Sequence, residues 1–84
     1  MTPTIGERIA TVRRSQRLTQ RQLGAKCGLT APTIFNIEKD YTVVQPERLR
    51  ILCKALGIKP SDILSDDWRI RCQRGGISLE EPIA

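Results

Sequence analysis

The 84-residue chain has no histidine, which removes the side chain most often used as a general base near neutral pH and a common zinc ligand. Its three cysteines, Cys27, Cys53 and Cys72, are odd in number and widely spaced, form no CxxC pair and sit in apolar patterns. That usage points to reduced, structural thiols rather than a disulfide framework or a metal site. Catalysis would have to rest on carboxylates or hydroxyls with no visible orienting partner, so no enzyme, catalytic residue or cofactor is expected. Aromatic residues are scarce as well: Phe35, Tyr41 and Trp68 are the whole set. A core of Leu, Ile, Val and Ala in short packed helices is therefore expected, an all-α fold in one small domain. Finally, no apolar run approaches the roughly 20 residues that span a bilayer, and the opening MTPTIGERIA lacks the basic-then-apolar order of a signal peptide. A cytoplasmic protein with no membrane partner is the expectation.

What is present is positive charge, unevenly placed. Residues 1–59 carry eleven Lys and Arg against four Asp and Glu, a net +7, whereas residues 60–84 carry three against five, a net −2. A basic body of this size is the electrostatic footprint of a nucleic-acid binder, with a merely soluble basic surface as the alternative.

Capping and periodicity predict five helices. Thr4 with Glu7 has capping-box spacing, and Ile5, Ile9 and Val12 mark one face of a helix over about 5–16. Thr19 with Gln22 repeats the box, Leu23 and Cys27 face inward, and Gly28 ends a helix over 20–27. Thr30 opens the next, over 31–38, with Pro32 tolerated in its first turn and Ile34 and Ile37 pointing inward. After the loop DYTVVQ, Pro46 opens a fourth helix whose Leu49, Leu52, Cys53 and Leu56 precede Gly57. Pro60 opens a short fifth with Ile63 and Leu64, and the compact domain is expected to end near Ser65.

Two short helices joined by a Gly-containing turn of three or four residues form a helix-turn-helix, whose second helix enters the DNA major groove. The stretch LTQRQLGAKCGLTAPTIFNIEKD, followed by LRILCKALGIKPSDIL, resembles the XRE or Cro/repressor-type (lambda-repressor-like) helix-turn-helix family of bacterial and phage regulators. The resemblance covers roughly residues 5–64, and its motifs fall at the family's spacing together.

The resemblance implies roles for particular residues. Gln20, at the start of the first motif helix, is the phosphate contact, and the free N–H groups of a helix N-terminus favour an anion there independently; Arg21 lies beside it. Base reading falls to Ala31, Pro32, Phe35 and Asn36, with Thr33 and Lys39 nearer the backbone. Asn36 is the best candidate because its amide can pair bidentately with adenine. The chain departs from its relatives at Ala31 and Pro32, where hydrogen-bonding residues are common and an apolar pair stands that could touch a thymine methyl group. It departs again at Phe35, an aromatic in place of a small or polar residue, which suggests base or sugar contact. The family also implies an Arg13–Glu38 pair tying the first helix to the third, and Tyr41 and Thr42 in the following loop are placed near phosphates.

Beyond Ser65, Trp68, Ile70 and Cys72 alternate with Arg69, Arg71 and Gln73, a period-2 signal for a short strand, and the GG that follows breaks it before a loose tail, EEPIA. Residues 66–84 read as a C-terminal arm that could carry a dimer contact, with Ile63, Leu64, Trp68, Ile70 and Cys72 as the interface. The function expected is a sequence-specific double-stranded-DNA-binding regulator, a repressor acting as a homodimer on a two-fold operator. The alternative is an antitoxin-like adaptor that holds a protein partner through the arm, with DNA binding secondary.

Overall fold

Local hydrogen bonding sets the helix boundaries in the computed structural model, which describes residues 3–73. The helices are α1 (Ile5–Ser15), α2 (Gln20–Cys27), α3 (Ala31–Glu38), α4 (Pro46–Leu56), α5 (Pro60–Leu64) and α6 (Trp68–Arg71). Thr4, Thr19 and Thr30 each turn a side-chain oxygen onto the backbone N–H three residues on, which pairs a donor that the first turn leaves open. At Thr19 the box is reciprocal, because the Thr19 N–H also donates to Gln22 Oε1 at 2.8 Å. The α4 and α5 starts instead use Pro46 and Pro60, whose missing N–H has no partner to lose there.

Four helices end through a residue in the left-handed region. Gly28 and Gly57 are the two the sequence marks; Arg17 and Asp40, both at φ 59°, are not. In each case the next residue donates its N–H five positions back, as Leu18 does to Arg13 O at 3.2 Å and Tyr41 to Asn36 O at 3.0 Å. Asp40 tolerates this backbone because its carboxylate is used: it accepts from the Gly6 N–H at 3.2 Å and from the Thr4 hydroxyl. The end of α3 thereby caps the start of α1, and the two come so close that a Cβ on Gly6 would lie 2.3 Å from Ile37 O.

The core forms where the apolar stripes of these helices converge: Ile9 and Val12 of α1, Leu23 of α2, Ile34 and Ile37 of α3, and Leu52, Cys53 and Leu56 of α4, closed below by Ile63 of α5. The strand expected over 68–73 is not formed; those residues make the helical turn α6. Trp68 and Cys72 are four apart, so a helix puts both on one face, where they are 3% and 1% exposed, while Ile70 points outward at 67%. A strand would need a pairing edge, and among the described residues there is none; a helix satisfies its own backbone, with Cys72 N donating to Trp68 O at 2.9 Å. Asp67 and Arg71 add an exposed i,i+4 pair at 2.7 Å, and the Ser65 hydroxyl, followed by that guanidinium, holds the Asp67 carboxyl below its ordinary value.

Arg8, which no periodicity singles out, explains why the chain turns back here. Its buried guanidinium donates to Pro3 O at 3.1 Å, Ile63 O at 2.8 Å and Ser65 O at 3.1 Å. It also lies 5.5 Å from the Trp68 ring centroid, with Arg69 at 4.7 Å. Trp68 and Cys72 therefore close the domain's own core past Ser65. The GG break and the tail over 74–84 lie outside the described residues.

Candidate nucleic-acid interface

The helix-turn-helix is built by α2, the turn Gly28–Thr30 and α3. Leu29 donates to Gly24 O at 2.8 Å, and the approach is tight enough that a Cβ on Gly24 would sit 2.6 Å from Leu29 O. Ile34 and Ile37 anchor the inner face of α3 in the core, and that rotation leaves Pro32, Phe35, Asn36 and Lys39 exposed as one stripe. Ala31 and Thr33 are half-buried at its edge, and the Thr33 hydroxyl is 2.9 Å from that of Thr30. Arg21 on α2, and Tyr41 and Thr42 just past α3, are exposed beside the stripe.

The placement of α3 rests on a buried ion pair. Arg13 Nε donates to Glu38 Oε2 at 2.6 Å and Nη2 to Oε1 at 3.1 Å, while Nη1 donates to Leu18 O at 2.7 Å. Both residues are almost enclosed, at 8% and 5% exposed, and no buried side-chain nitrogen or oxygen among the described residues lacks a partner. Gln20 joins this network: its amide nitrogen donates to Glu38 Oε1 at 3.0 Å. One amide N–H of Gln20 is thereby used to hold α2 against α3 and the other remains for an outside acceptor. Thr11, Arg14 and Lys39 rim the same polar hollow with Gln20 and Glu38. Sequence spacing did not single out Thr11 or Arg14; the signal was the second of two adjacent arginines, with Arg13 turned in and Arg14 out.

Of the five residues expected at a dimer contact, Ile63, Trp68 and Cys72 are buried in the chain's own core, and Leu64 and Ile70 are exposed. Leu64 borders an apolar hollow of about 320 Å³ with Ile5, Thr42, Val43, Val44 and Leu49. The three thiols are free; burial pushes Cys53 and Cys72 up to about 11 and raises Cys27 as well. Among the described residues no group of His, Cys, Asp and Glu could hold a metal ion, and no helix is long and apolar enough to cross a membrane.

Residues 9–63 match the family described as helix-turn-helix. An immunity repressor protein of Bacillus phage phi105 is 31% identical over 78 residues, covering 93% of this chain and 54% of the relative, so the chain spans about half the length of that protein. Among solved structures, the DNA-binding domain of the P22 c2 repressor, determined by nuclear magnetic resonance, superposes with a TM-score of 0.73 at 32% identity. The match covers 81% of this chain and 91% of that domain.

Proposed function

Because the chain belongs to the helix-turn-helix family of the XRE, or Cro/repressor, type, we propose that it is a transcriptional repressor that binds a specific double-stranded operator as a homodimer. The observation that carries this is the outward stripe of α3, Pro32, Phe35, Asn36 and Lys39, held proud of the core by Ile34, Ile37 and the Arg13–Glu38 pair. In this reading Asn36 pairs with an adenine edge, and Ala31, Pro32 and Phe35 contact bases beside it. Gln20, Arg21, Thr33, Lys39, Tyr41 and Thr42 meet the backbone, with the open N–H groups at the start of α2 adding to the Gln20 contact. The phi105 relative is named an immunity repressor and the P22 relative a repressor with a DNA-binding domain, and both names support a repressor's role.

One recognition helix reads few base pairs, so a second copy reading the next major groove, about 34 Å along the duplex, supplies the rest of the site. With Ile63, Trp68 and Cys72 buried within the protomer, the two-fold contact is assigned in this reading to Leu64 and the apolar hollow it borders.

The test is a duplex selected from random DNA and titrated at several salt concentrations. A dimer that neutralises about six phosphates should lose on the order of a thousandfold in affinity between 50 and 200 mM salt; a flat dependence refutes DNA binding. On the selected site Asn36→Ala should cost about 1–3 kcal/mol and relax preference at one base pair, whereas Gln20→Ala should weaken every sequence alike.

A further inference from the structure

The α3 stripe is unusual in its chemistry. Pro32, Phe35, Asn36 and Lys39 lie at i, i+3, i+4 and i+7, yet Pro32 and Phe35 end in carbon only and can neither donate nor accept toward a base edge. In the major groove the one base feature that carbon can read is a methyl group at C5 of a pyrimidine.

The Phe35 ring is not folded over the core. It is 41% exposed and braced from two sides: Tyr41 meets it edge to face at 6.1 Å between centroids and 67° between planes, and Lys39 Nζ lies 5.8 Å from its centroid. This bracing is built by the backbone. Asp40 in the left-handed region donates to Ile37 O at 3.1 Å and Tyr41 to Asn36 O at 3.0 Å. That arrangement folds the residue after the left-handed one back over the last helical turn, where it makes an apolar contact. The Asp40 carboxylate, held by Gly6 and Thr4 at the start of α1, pins the turn. An exposed aromatic so fixed is pre-organised for contact and loses little freedom on binding.

We propose that Pro32 and Phe35 form an apolar ledge that reads pyrimidine C5-methyl groups in the operator, thymine ordinarily and 5-methylcytosine equally, next to the adenine that Asn36 contacts. The inference rests on the DNA-binding reading above and deepens it. Because the ledge carries no hydrogen-bonding group, it does not separate the O4 of thymine from the amino group of cytosine; it separates a methylated C5 from a bare one. Cytosine methylation inside a half-site then becomes a signal the protein can sense.

The probe is the selected operator duplex with single thymines replaced by deoxyuridine, which removes only the methyl group. At one or two positions per half-site, adjacent to the base pair whose preference Asn36→Ala relaxes, deoxyuridine should weaken binding by on the order of fourfold, the worth of one buried methyl. At the same positions unmethylated cytosine should bind more weakly than 5-methylcytosine by a similar factor. Phe35→Ala, a change at an exposed site, should erase the difference between thymine and deoxyuridine there while leaving the salt dependence intact, and Pro32→Ala should diminish it. Wild-type protein that binds a fully deoxyuridine-substituted operator at unchanged affinity overturns the ledge but leaves the DNA-binding reading standing. Failure to bind any duplex in a salt-dependent way overturns both.

Discussion

Replacing Arg13 with alanine should cost the fold far more than replacing its neighbour Arg14. Arg13 makes three hydrogen bonds, two to the Glu38 carboxylate and one to Leu18 O. Its removal leaves Glu38, 5% exposed, with Gln20 as the remaining donor, at 3.0 Å. Breaking one side of a buried pair costs about 3–5 kcal/mol, because the surviving charge stays desolvated. The Gln20 donor and water entering the vacated space place the loss near the low end, about 3 kcal/mol. For a domain of this size that corresponds to a fall in Tm of roughly 12–24 °C. Arg14 is exposed, and a surface charge of that kind is worth about 0–1 kcal/mol. Urea and thermal unfolding of the two variants, followed by far-UV circular dichroism, make the comparison. The double variant Arg13→Ala/Glu38→Leu should recover stability relative to Arg13→Ala alone, since it removes the stranded carboxylate. Equal midpoints for Arg13→Ala and Arg14→Ala would refute the reasoning, and a double variant less stable than Arg13→Ala would show that the stranded charge is not what costs.

Further outcomes follow from the packing. Gly6→Ala should destabilise by more than 2 kcal/mol, roughly, because its Cβ would meet the carbonyls of Ile37 and Glu38 at 2.3 and 2.8 Å and backbone cannot step aside as a flexible side chain can; a melting curve like that of the unaltered protein would contradict the close approach. Trp68→Ala should cost about 3–5 kcal/mol, whereas Ile70→Ala, at an exposed site, should stay within about 0.5 kcal/mol, and chemical denaturation of the pair checks whether α6 belongs to the core. Stability should fall as pH rises from about 9 to about 11: the buried Cys53 and Cys72 thiols keep their protons to about 11 in the folded chain but lose them near 9 once unfolded. The folded state then binds more protons across that window. A Cys53→Ala/Cys72→Ala variant should show a shallower alkaline decline, and an identical profile would remove the cysteines as its cause.

Features that local hydrogen bonding controls were legible in neighbouring residues alone. Thr19 and Gln22 close a capping box within four residues, Gly28 and Gly57 supply left-handed ends, and the stripe Leu49, Leu52, Cys53, Leu56 presents one face whatever surrounds it. Together these made the all-α helix-turn-helix legible, and the outward stripe of α3 with it. Other features depended on groups distant along the chain. Asp40 adopts a glycine-like backbone because Gly6 and Thr4, more than thirty residues earlier, hold its carboxylate, and no rule confined to neighbours identifies it. Trp68, Ile70 and Cys72 fit a two-residue period and a helical turn equally well over five residues; the choice fell to the helix because Arg8 and the open end of the core receive Trp68 and Cys72 on one side. The same burial moved the exposed apolar surface from Trp68 to Leu64. Capping acts within a turn and is written in adjacent residues, whereas burial is settled when distant helices meet, and that meeting leaves particular apolar side chains facing water.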